Sequence, residues 1–176
     1  MVLLELVIDP TCSVVLERQP AEANIMDRPP RSPQEKILNF RALGKSLMQG
    51  FVIFAASFGV YYLELMKNPL EAAAARSMGL AVILLSNILL VQVNSSEWDY
   101  ALISLKRLAR DKTMWLIGAG SIAMLIVILY SPLNHVLKLA PLSAADLLLT
   151  LVIAVAAVGW YEIVKLVKHM TGERKQ

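Results

Sequence analysis

The sequence has few charged residues for its length. Asp, Glu, Lys and Arg make up 18% of the 176 residues, whereas apolar residues make up 57% and the mean hydropathy is +0.58. A typical soluble domain has about 25% charged residues, so this composition is poorly suited to a fold that is surrounded by water. The shortage of charge therefore excludes an ordinary soluble domain and indicates a protein whose apolar surface faces lipid.

Cysteine and histidine are also scarce. Cys12 is the only cysteine, so the chain can form neither an internal disulfide scaffold nor a multi-cysteine metal site. The only two histidines, His135 and His169, have no other ligands at a zinc-binding spacing. Eight glycines and eight prolines are too few for a collagen-like or low-complexity chain.

Four stretches with almost no charge are long enough to cross a membrane. A hydrocarbon core of about 30 Å requires about 20 helical residues at about 1.5 Å per residue. Glu64 and Asp146 are the only charges in residues 46–66, 77–96, 113–131 and 143–161. We therefore predict an all-α membrane protein with four full transmembrane helices.

The basic residues are distributed unevenly among the connections. Fourteen of the 17 Lys and Arg residues lie before the first span, between the second and third spans, or after the fourth. Loops rich in Lys and Arg are retained on the cytoplasmic side of a membrane. We therefore predict a multi-pass protein with a cytoplasmic C-terminus. The formal net charge of +3 then reflects these loops, and no nucleic-acid partner is expected.

The N-terminal segment is apolar but short. Residues 1–16 are interrupted by Glu5 and Asp9, and as a helix they reach about 24 Å, less than a bilayer core requires. Two acids and no preceding basic residues are not typical of a signal peptide. We interpret the segment as a transmembrane helix whose first half is missing and which enters from the outer side. A misread, partly exposed N-terminal segment is the alternative.

Glu5 and Asp9 suggest a cation site in this segment. Their i, i+4 spacing places both carboxylates on one face of a helix. Pro10 has no N–H, so the carbonyl of Leu6 loses its usual helical donor. Two carboxylates and a free carbonyl suit a hard cation, and acids inside a membrane commonly mark an ion path. The pattern predicts Glu5 and Asp9 as cation ligands.

Polar and small residues inside the spans predict contacts between helices. Asn87 and Asn94 share one face of the second span, where amides commonly bond a neighbouring helix, and packing is favoured over ion binding there. Small residues spaced by four permit close helix approach. Two such pairs occur, Ala55 with Gly59 and Ala119 with Ala123.

Several segments of the sequence together form a recognisable pattern. Three lie near the N-terminus, Glu5-Leu6-Val7-Ile8-Asp9-Pro10, Pro20-Ala21-Glu22 and Ile25-Met26-Asp27-Arg28-Pro29-Pro30-Arg31, of which the last is the most specific. Shorter ones follow at Ser77-Met78, Ser86-Asn87, Asn94, Ser96, Gly159, Glu162 and Lys165. Together they resemble the P-type cation-transporting ATPases, in the branch that includes calcium pumps and sodium/potassium pumps. The N-terminal segments resemble the family's sixth transmembrane helix and the cytoplasmic loop after it.

The resemblance implies roles for individual residues. Glu5 and Asp9 match cation ligands of the sixth helix, and Asn87 matches a polar ligand of the eighth. The transported cation is not specified, although calcium is one candidate, because Ile8 replaces a common hydroxyl and Pro10 a common glycine. The loop that couples the phosphorylation domain to the ion site is represented by Met26, Arg28, Pro29, Pro30 and Arg31.

The motifs for ATP hydrolysis are absent from the sequence. The family phosphorylates the Asp of an Asp-Lys-Thr-Gly-Thr motif and uses a Gly-Asp-Gly motif for magnesium, and neither occurs here. Asp111-Lys112-Thr113 continues into Met114 and leads directly into the third span. Phosphoryl transfer needs a positioned nucleotide and Mg²⁺, so we expect no ATPase activity from this chain alone. No cofactor is expected in the chain, and Mg-ATP belongs to the parent pump.

The resemblance also divides the chain into four parts. Residues 1–17 match part of the sixth helix, and residues 18–45 match the coupling loop. Residues 46–170 match the seventh to tenth helices, and residues 171–176 form a cytoplasmic tail. The expected partners are the lipid bilayer and the missing N-terminal part of a P-type ATPase, and the expected location is the plasma membrane.

Three functions are compatible with these features. The first is the C-terminal membrane portion of an ATP-driven cation transporter, which contributes cation ligands and helix support. The second is a free-standing small membrane protein that acts as a partner or regulator of a pump. The third is an autonomous small cation or proton conductor that uses Glu5 and Asp9.

Overall fold

The computed structural model describes residues 40–94 and 112–170, and every regular element in these two ranges is an α-helix. The prediction of an all-α protein is confirmed for these ranges. The helices are α1 (Phe40–Lys67), α2 (Ala72–Asn94), α3 (Lys112–Tyr130), the short α4 (Leu133–Val136) and α5 (Ala144–Met170).

The connections between helices use ordinary turn and capping chemistry. Pro69 cannot continue α1 because it has no N–H, and the N–H groups of Asn68 and Glu71 donate to the carbonyls of Glu64 and Asn68 at 3.0 and 2.9 Å. At the start of α5, the Asp146 N–H donates to Ser143 Oγ at 3.2 Å, and Ser143 Oγ donates to Asp146 Oδ2 at 2.6 Å. This reciprocal cap stabilises the first turn of α5.

Helix α2 lies at the centre of the bundle. It packs against α1, α5 and α3, and α1 also contacts α5. Met78, Ala81 and Val82 of α2 are buried against Val60 of α1 and Leu129 of α3. The central position of α2 fits its low charge, because a helix that is surrounded by others must be apolar on nearly every side.

Three of the described helices are long and apolar enough to cross a membrane. Their spans are Leu43–Lys67, Ala72–Val91 and Ala144–Val164. Among the described side chains, the apolar part of α3 covers Trp115–Tyr130. The predicted count of four full transmembrane helices is therefore not confirmed within the described ranges.

Large apolar side chains cover the outside of the bundle. Phe51 and Phe54 on α1 are 65% and 63% exposed, and Val152 on α5 is 58% exposed. The buried positions include hydroxyl and amide side chains such as Gln49 and Thr150. Such an outer surface is unfavourable in water and favourable in hydrocarbon, so the fold is that of an integral membrane protein.

Helices α1 and α2 approach each other closely at Gly79. A Cβ added there lies 3.4 Å from Ser57 Oγ and 3.5 Å from the Ser57 carbonyl oxygen. By contrast, a Cβ added at Gly59 meets no atom of the described helices within 4 Å, and Ala55 is exposed. Ala119 and Ala123 are exposed as well. The predicted close approach at these two small-residue pairs is therefore not confirmed within the described helices.

Lys138 adopts a left-handed backbone conformation at the end of α4. Its φ is 56°, which is the conformation usually supplied by glycine one residue after a helix cap. The Lys138 N–H donates to the His135 carbonyl at 3.2 Å, and the Leu139 N–H donates to the Asn134 carbonyl at 2.8 Å. These two bonds form a Schellman motif that turns the chain toward α5.

We expect Lys138→Gly to stabilise the protein by about 0.5–1 kcal/mol, because glycine tolerates positive φ without the Cβ clash. Lys138→Ala removes the charge but keeps the Cβ, so its stability should stay near that of the parent chain. Unfolding by sodium dodecyl sulfate in mixed micelles measures both free energies. An equal gain in the two variants would attribute the effect to charge rather than to backbone conformation.

Candidate functional site

Most residues predicted to form the cation site lie outside the described ranges. Glu5 and Asp9 lie there, as does the coupling segment with Met26, Arg28, Pro29, Pro30 and Arg31. Their predicted roles stay predictions. Among the predicted ligands, Asn87 lies within the described residues, on the central helix α2.

Asn87 is half-buried, and its neighbour Ser86 is fully buried. Within the described part of the chain, Ser86 Oγ has no hydrogen-bond partner. A buried hydroxyl without a partner is costly, by about 1–3 kcal/mol. Ser86 and Asn87 therefore place polar groups inside the bundle at this level of α2.

An amide pair joins α1 to α2 near the end of α2. Gln49 Nε2 donates to Asn94 Oδ1 at 3.4 Å, and Asn94 Nδ2 donates to Gln49 Oε1 at 3.3 Å. Gln49 is buried, so each amide satisfies the other away from solvent. The prediction that Asn94 serves helix packing is confirmed.

At the opposite end of α2, the hydroxyl of Ser77 joins this helix to the chain before α5. Ser77 is fully buried. Its Oγ accepts from the Ala140 N–H at 2.9 Å, and its one hydrogen faces the Ala140 carbonyl at 2.7 Å, with the Ala73 carbonyl of its own helix at 3.0 Å as a second acceptor. One hydroxyl therefore pairs both backbone groups of a residue that lies outside any helix.

Two further side chains fix the same connection. Arg76 Nη1 donates to the Lys138 carbonyl at 3.2 Å, and the Tyr130 hydroxyl donates to the Leu142 carbonyl at 2.5 Å. Together with Ser77, they place the segment between α4 and α5 against the start of α2 and the end of α3. This arrangement orients α5 beside the central helix.

We expect Ser77→Ala to destabilise the bundle by about 1–2 kcal/mol, because it leaves the N–H and C=O of the half-buried Ala140 without their partner. Ser46→Ala is the matched control, since Ser46 is exposed on α1. Unfolding of both variants in mixed micelles compares their free energies of unfolding. If the two substitutions cost the same, the Ser77 hydroxyl does not hold the connection.

The described helices do not contain a complete cation site. Within residues 40–94 and 112–170 no group of three His, Cys, Asp or Glu side chains could hold a metal ion. Glu64 Oε2 pairs with Lys67 Nζ at 3.7 Å, and Asp146 caps α5. These carboxylates therefore serve the ends of helices, and the described region is a helical scaffold around α2.

A bundle of apolar helices with polar ties between them defines an integral membrane domain, and a family comparison specifies its kind. The profile of the family described as "Cation transporting ATPase, C-terminus" matches residues 1–167. The chain belongs to this family, which confirms the resemblance to cation-transporting ATPases.

A curated relative is the calcium-transporting ATPase of Bacillus subtilis (strain 168), which is 26% identical over 151 residues. The match covers 84% of this chain and 16% of the relative. The chain therefore spans a small fraction of the length of that protein.

Sequence reasoning missed the three side chains that make the clearest ties between elements. No tie was predicted for Gln49, for Ser57, whose Oγ donates to the Gly79 carbonyl at 2.9 Å, or for Ser77, which was noted only as part of the family resemblance. The rule that selected Asn94 applies equally to Gln49, because an amide in a membrane helix needs a partner. Serine gives a weaker signal, since its hydroxyl can also bond its own helix.

Proposed function

We propose that the chain is the C-terminal membrane portion of an ATP-driven P-type cation transporter. In this proposal Glu5 and Asp9 are ligands of the transported cation, and Asn87 adds a polar ligand from α2. Helices α1, α3 and α5 pack around α2 and hold it in place beside the ion pathway. The chain hydrolyses no ATP by itself.

The match of the family profile to residues 1–167 is the observation that carries the proposal. The match includes the segment with Glu5 and Asp9 and nearly all of the described bundle, so both belong to one family region. Carboxylates in a membrane helix are rarely retained without a role in ion or proton movement. The family match and the chemistry of the two acids therefore support the same function.

The remaining steps of the transport cycle belong to other regions of a pump. The chain lacks the phosphorylation motif, and the Bacillus subtilis relative extends far beyond the matched 16%. Mg-ATP binding and phosphoryl transfer are proposed to reside in that additional region, joined to this chain or supplied separately. Residues 18–45 couple the movement of that additional region to the ion site in the membrane. The C-terminus is cytoplasmic, and the protein resides in the plasma membrane with calcium as the first cation to test.

The experiment is a two-part reconstitution. The full chain is coexpressed with the Bacillus subtilis calcium-transporting ATPase from which the matching C-terminal portion has been removed. ATP-driven uptake of radioactive calcium into inside-out membrane vesicles is the readout. We expect uptake from the coexpressed parts and none from either part alone.

Copurification of the two parts provides a second readout. Parts that associate without transporting calcium would contradict calcium as the cation, and the same vesicles are then tested with sodium and manganese. Parts that are both present in the membrane and do not associate would contradict the proposal. Cation flux through the chain alone, without ATP, would instead favour the autonomous conductor.

A further inference from the structure

Two polar contacts join α1 to α2 on either side of Asn87. Ser57 Oγ donates to the Gly79 carbonyl at 2.9 Å, and the amides of Gln49 and Asn94 bond each other at 3.4 and 3.3 Å. Gly79 precedes Asn87 by eight residues, and Asn94 follows it by seven. The part of α2 that carries Asn87 is therefore tied to α1 at both of its ends. We call Gln49 and Asn94 the amide pair.

Asn94 lies almost in line with Asn87 along α2. Seven residues make nearly two helical turns, so the two side chains leave the helix within about 20° of each other and about 10 Å apart along its axis. Helix α2 is continuous from Ala72 to Asn94. A rotation of α2 that separates Asn94 from Gln49 therefore turns Asn87 in the same direction.

The amide pair defines the rotation and height of α2 more sharply than the neighbouring apolar packing. Gly79 and Ala81, on the buried side of α2, have little side chain to interlock with another helix. Apolar contacts are non-directional, whereas hydrogen bonds require defined distances and angles. Gln49 is only 4% exposed, so its amide would stay unsatisfied if α2 moved away from it, and a buried unsatisfied amide is costly.

We propose that the amide pair positions Asn87 for cation binding. This inference rests on the proposed function, in which Asn87 is a cation ligand. Oxygen ligands of calcium lie about 2.3–2.6 Å from the ion, so a shift of about 1 Å in α2 removes an amide oxygen from coordination. Gln49 and Asn94 are positioning residues, because they act on the cation through Asn87 and the backbone of α2.

The first test measures ATP-driven calcium uptake in the two-part reconstitution over a range of calcium concentrations. We expect Gln49→Leu to raise the calcium concentration at half-maximal uptake about threefold to tenfold. Exchange of the amides, Gln49→Asn with Asn94→Gln, restores the combined length of the pair and should return this concentration close to the parent value. A merely structural role would lower the amount of folded chain and the maximal uptake, and it would leave the half-maximal concentration unchanged.

A double-mutant cycle tests whether the amide pair acts through Asn87. In a chain that already carries Asn87→Ala, Gln49→Leu should have little further effect on the half-maximal concentration. Asn68→Leu is the matched control, since Asn68 is exposed in the turn after α1, and it should leave this concentration unchanged. Effects of Gln49→Leu and Asn87→Ala that simply multiply would overturn the proposal, as would an unchanged half-maximal concentration in Gln49→Leu.

A distance measurement tests the positioning without transport. Spin labels attached at Asn87→Cys on α2 and at Leu63→Cys on the exposed side of α1, in the full chain with Cys12→Ser, report the placement of α2 against α1. We expect Gln49→Leu to shift or broaden the distance distribution and the exchanged amides to restore it. An unchanged distribution would overturn the proposal. If the parent reconstitution transports no cation, the proposed function fails, whereas the distances still decide whether the amide pair positions Asn87.

Discussion

Gly79→Leu is expected to destabilise the bundle by about 3 kcal/mol. A Cβ at this position already lies 3.4 Å from Ser57 Oγ and 3.6 Å from Tyr61 Cβ, so the rest of a leucine side chain has no room. Overpacking of this kind costs about 1–3 kcal/mol. The substitution also separates Ser57 Oγ from the Gly79 carbonyl, to which it donates at 2.9 Å, and such bonds contribute about 1 kcal/mol. Unfolding in mixed micelles measures the combined loss of unfolding free energy from overpacking and from the broken hydrogen bond.

Two companion variants distinguish close packing from a general effect of glycine replacement. Gly79→Ala adds only the Cβ, whose distances correspond to ordinary van der Waals contact, so we expect a change below about 1 kcal/mol. Gly59→Leu places the same side chain on α1 where the described helices leave the position open, and little destabilisation is expected. If Gly59→Leu proves as harmful as Gly79→Leu, the closeness of α1 and α2 at Gly79 is not the cause.

Asp9→Asn is expected to lower ATP-driven cation uptake at least about tenfold in the two-part reconstitution, and Glu5→Gln likewise. Each substitution keeps the size of the side chain and removes one negative charge from a proposed site with two carboxylates. Affinity for hard cations depends strongly on the number of charged oxygen ligands. Uptake as a function of cation concentration separates a loss of affinity from a loss of maximal rate.

Glu71→Gln is the matched control for neutralising a carboxylate. Glu71 is exposed in the turn before α2, so its loss should leave uptake unchanged. Each variant is also assayed for copurification with the remainder of the pump. Variants that assemble and transport normally would remove Glu5 and Asp9 from the proposed site, even if the parent chain supports transport.

The all-α membrane class could be predicted because hydropathy and helix length depend on local sequence. The stretches of residues 46–66, 77–96 and 143–161, which have almost no charge, each fall within or largely overlap a described helix. The third predicted span, residues 113–131, also overlaps a helix, α3 (Lys112–Tyr130), but its length as a full membrane span is not confirmed. The family resemblance also depended on local motifs, and the match over residues 1–167 confirms it.

The sequence was a poorer guide to which side chains contact each other. An amide in a membrane helix predicts some neighbour, which is why a packing role for Asn94 was correct. The identity of that neighbour as Gln49 depends on how α1 and α2 align. Small-residue spacing selected Gly59, where an added Cβ meets no atom of the described helices within 4 Å, and passed over Gly79, where an added Cβ contacts Ser57. Spacing alone does not indicate which face of a helix meets another.

The sequence by itself determined the membrane environment, the family and the candidate carboxylates, because each depends on residue type or on short-range order along the chain. Tertiary structure alone decided that α2 is central, that Ser77 holds Ala140 and that Lys45 lies over Tyr161. These contacts join residues far apart in sequence. They form only when the helices pack at particular rotations and heights, and local pattern does not specify either quantity.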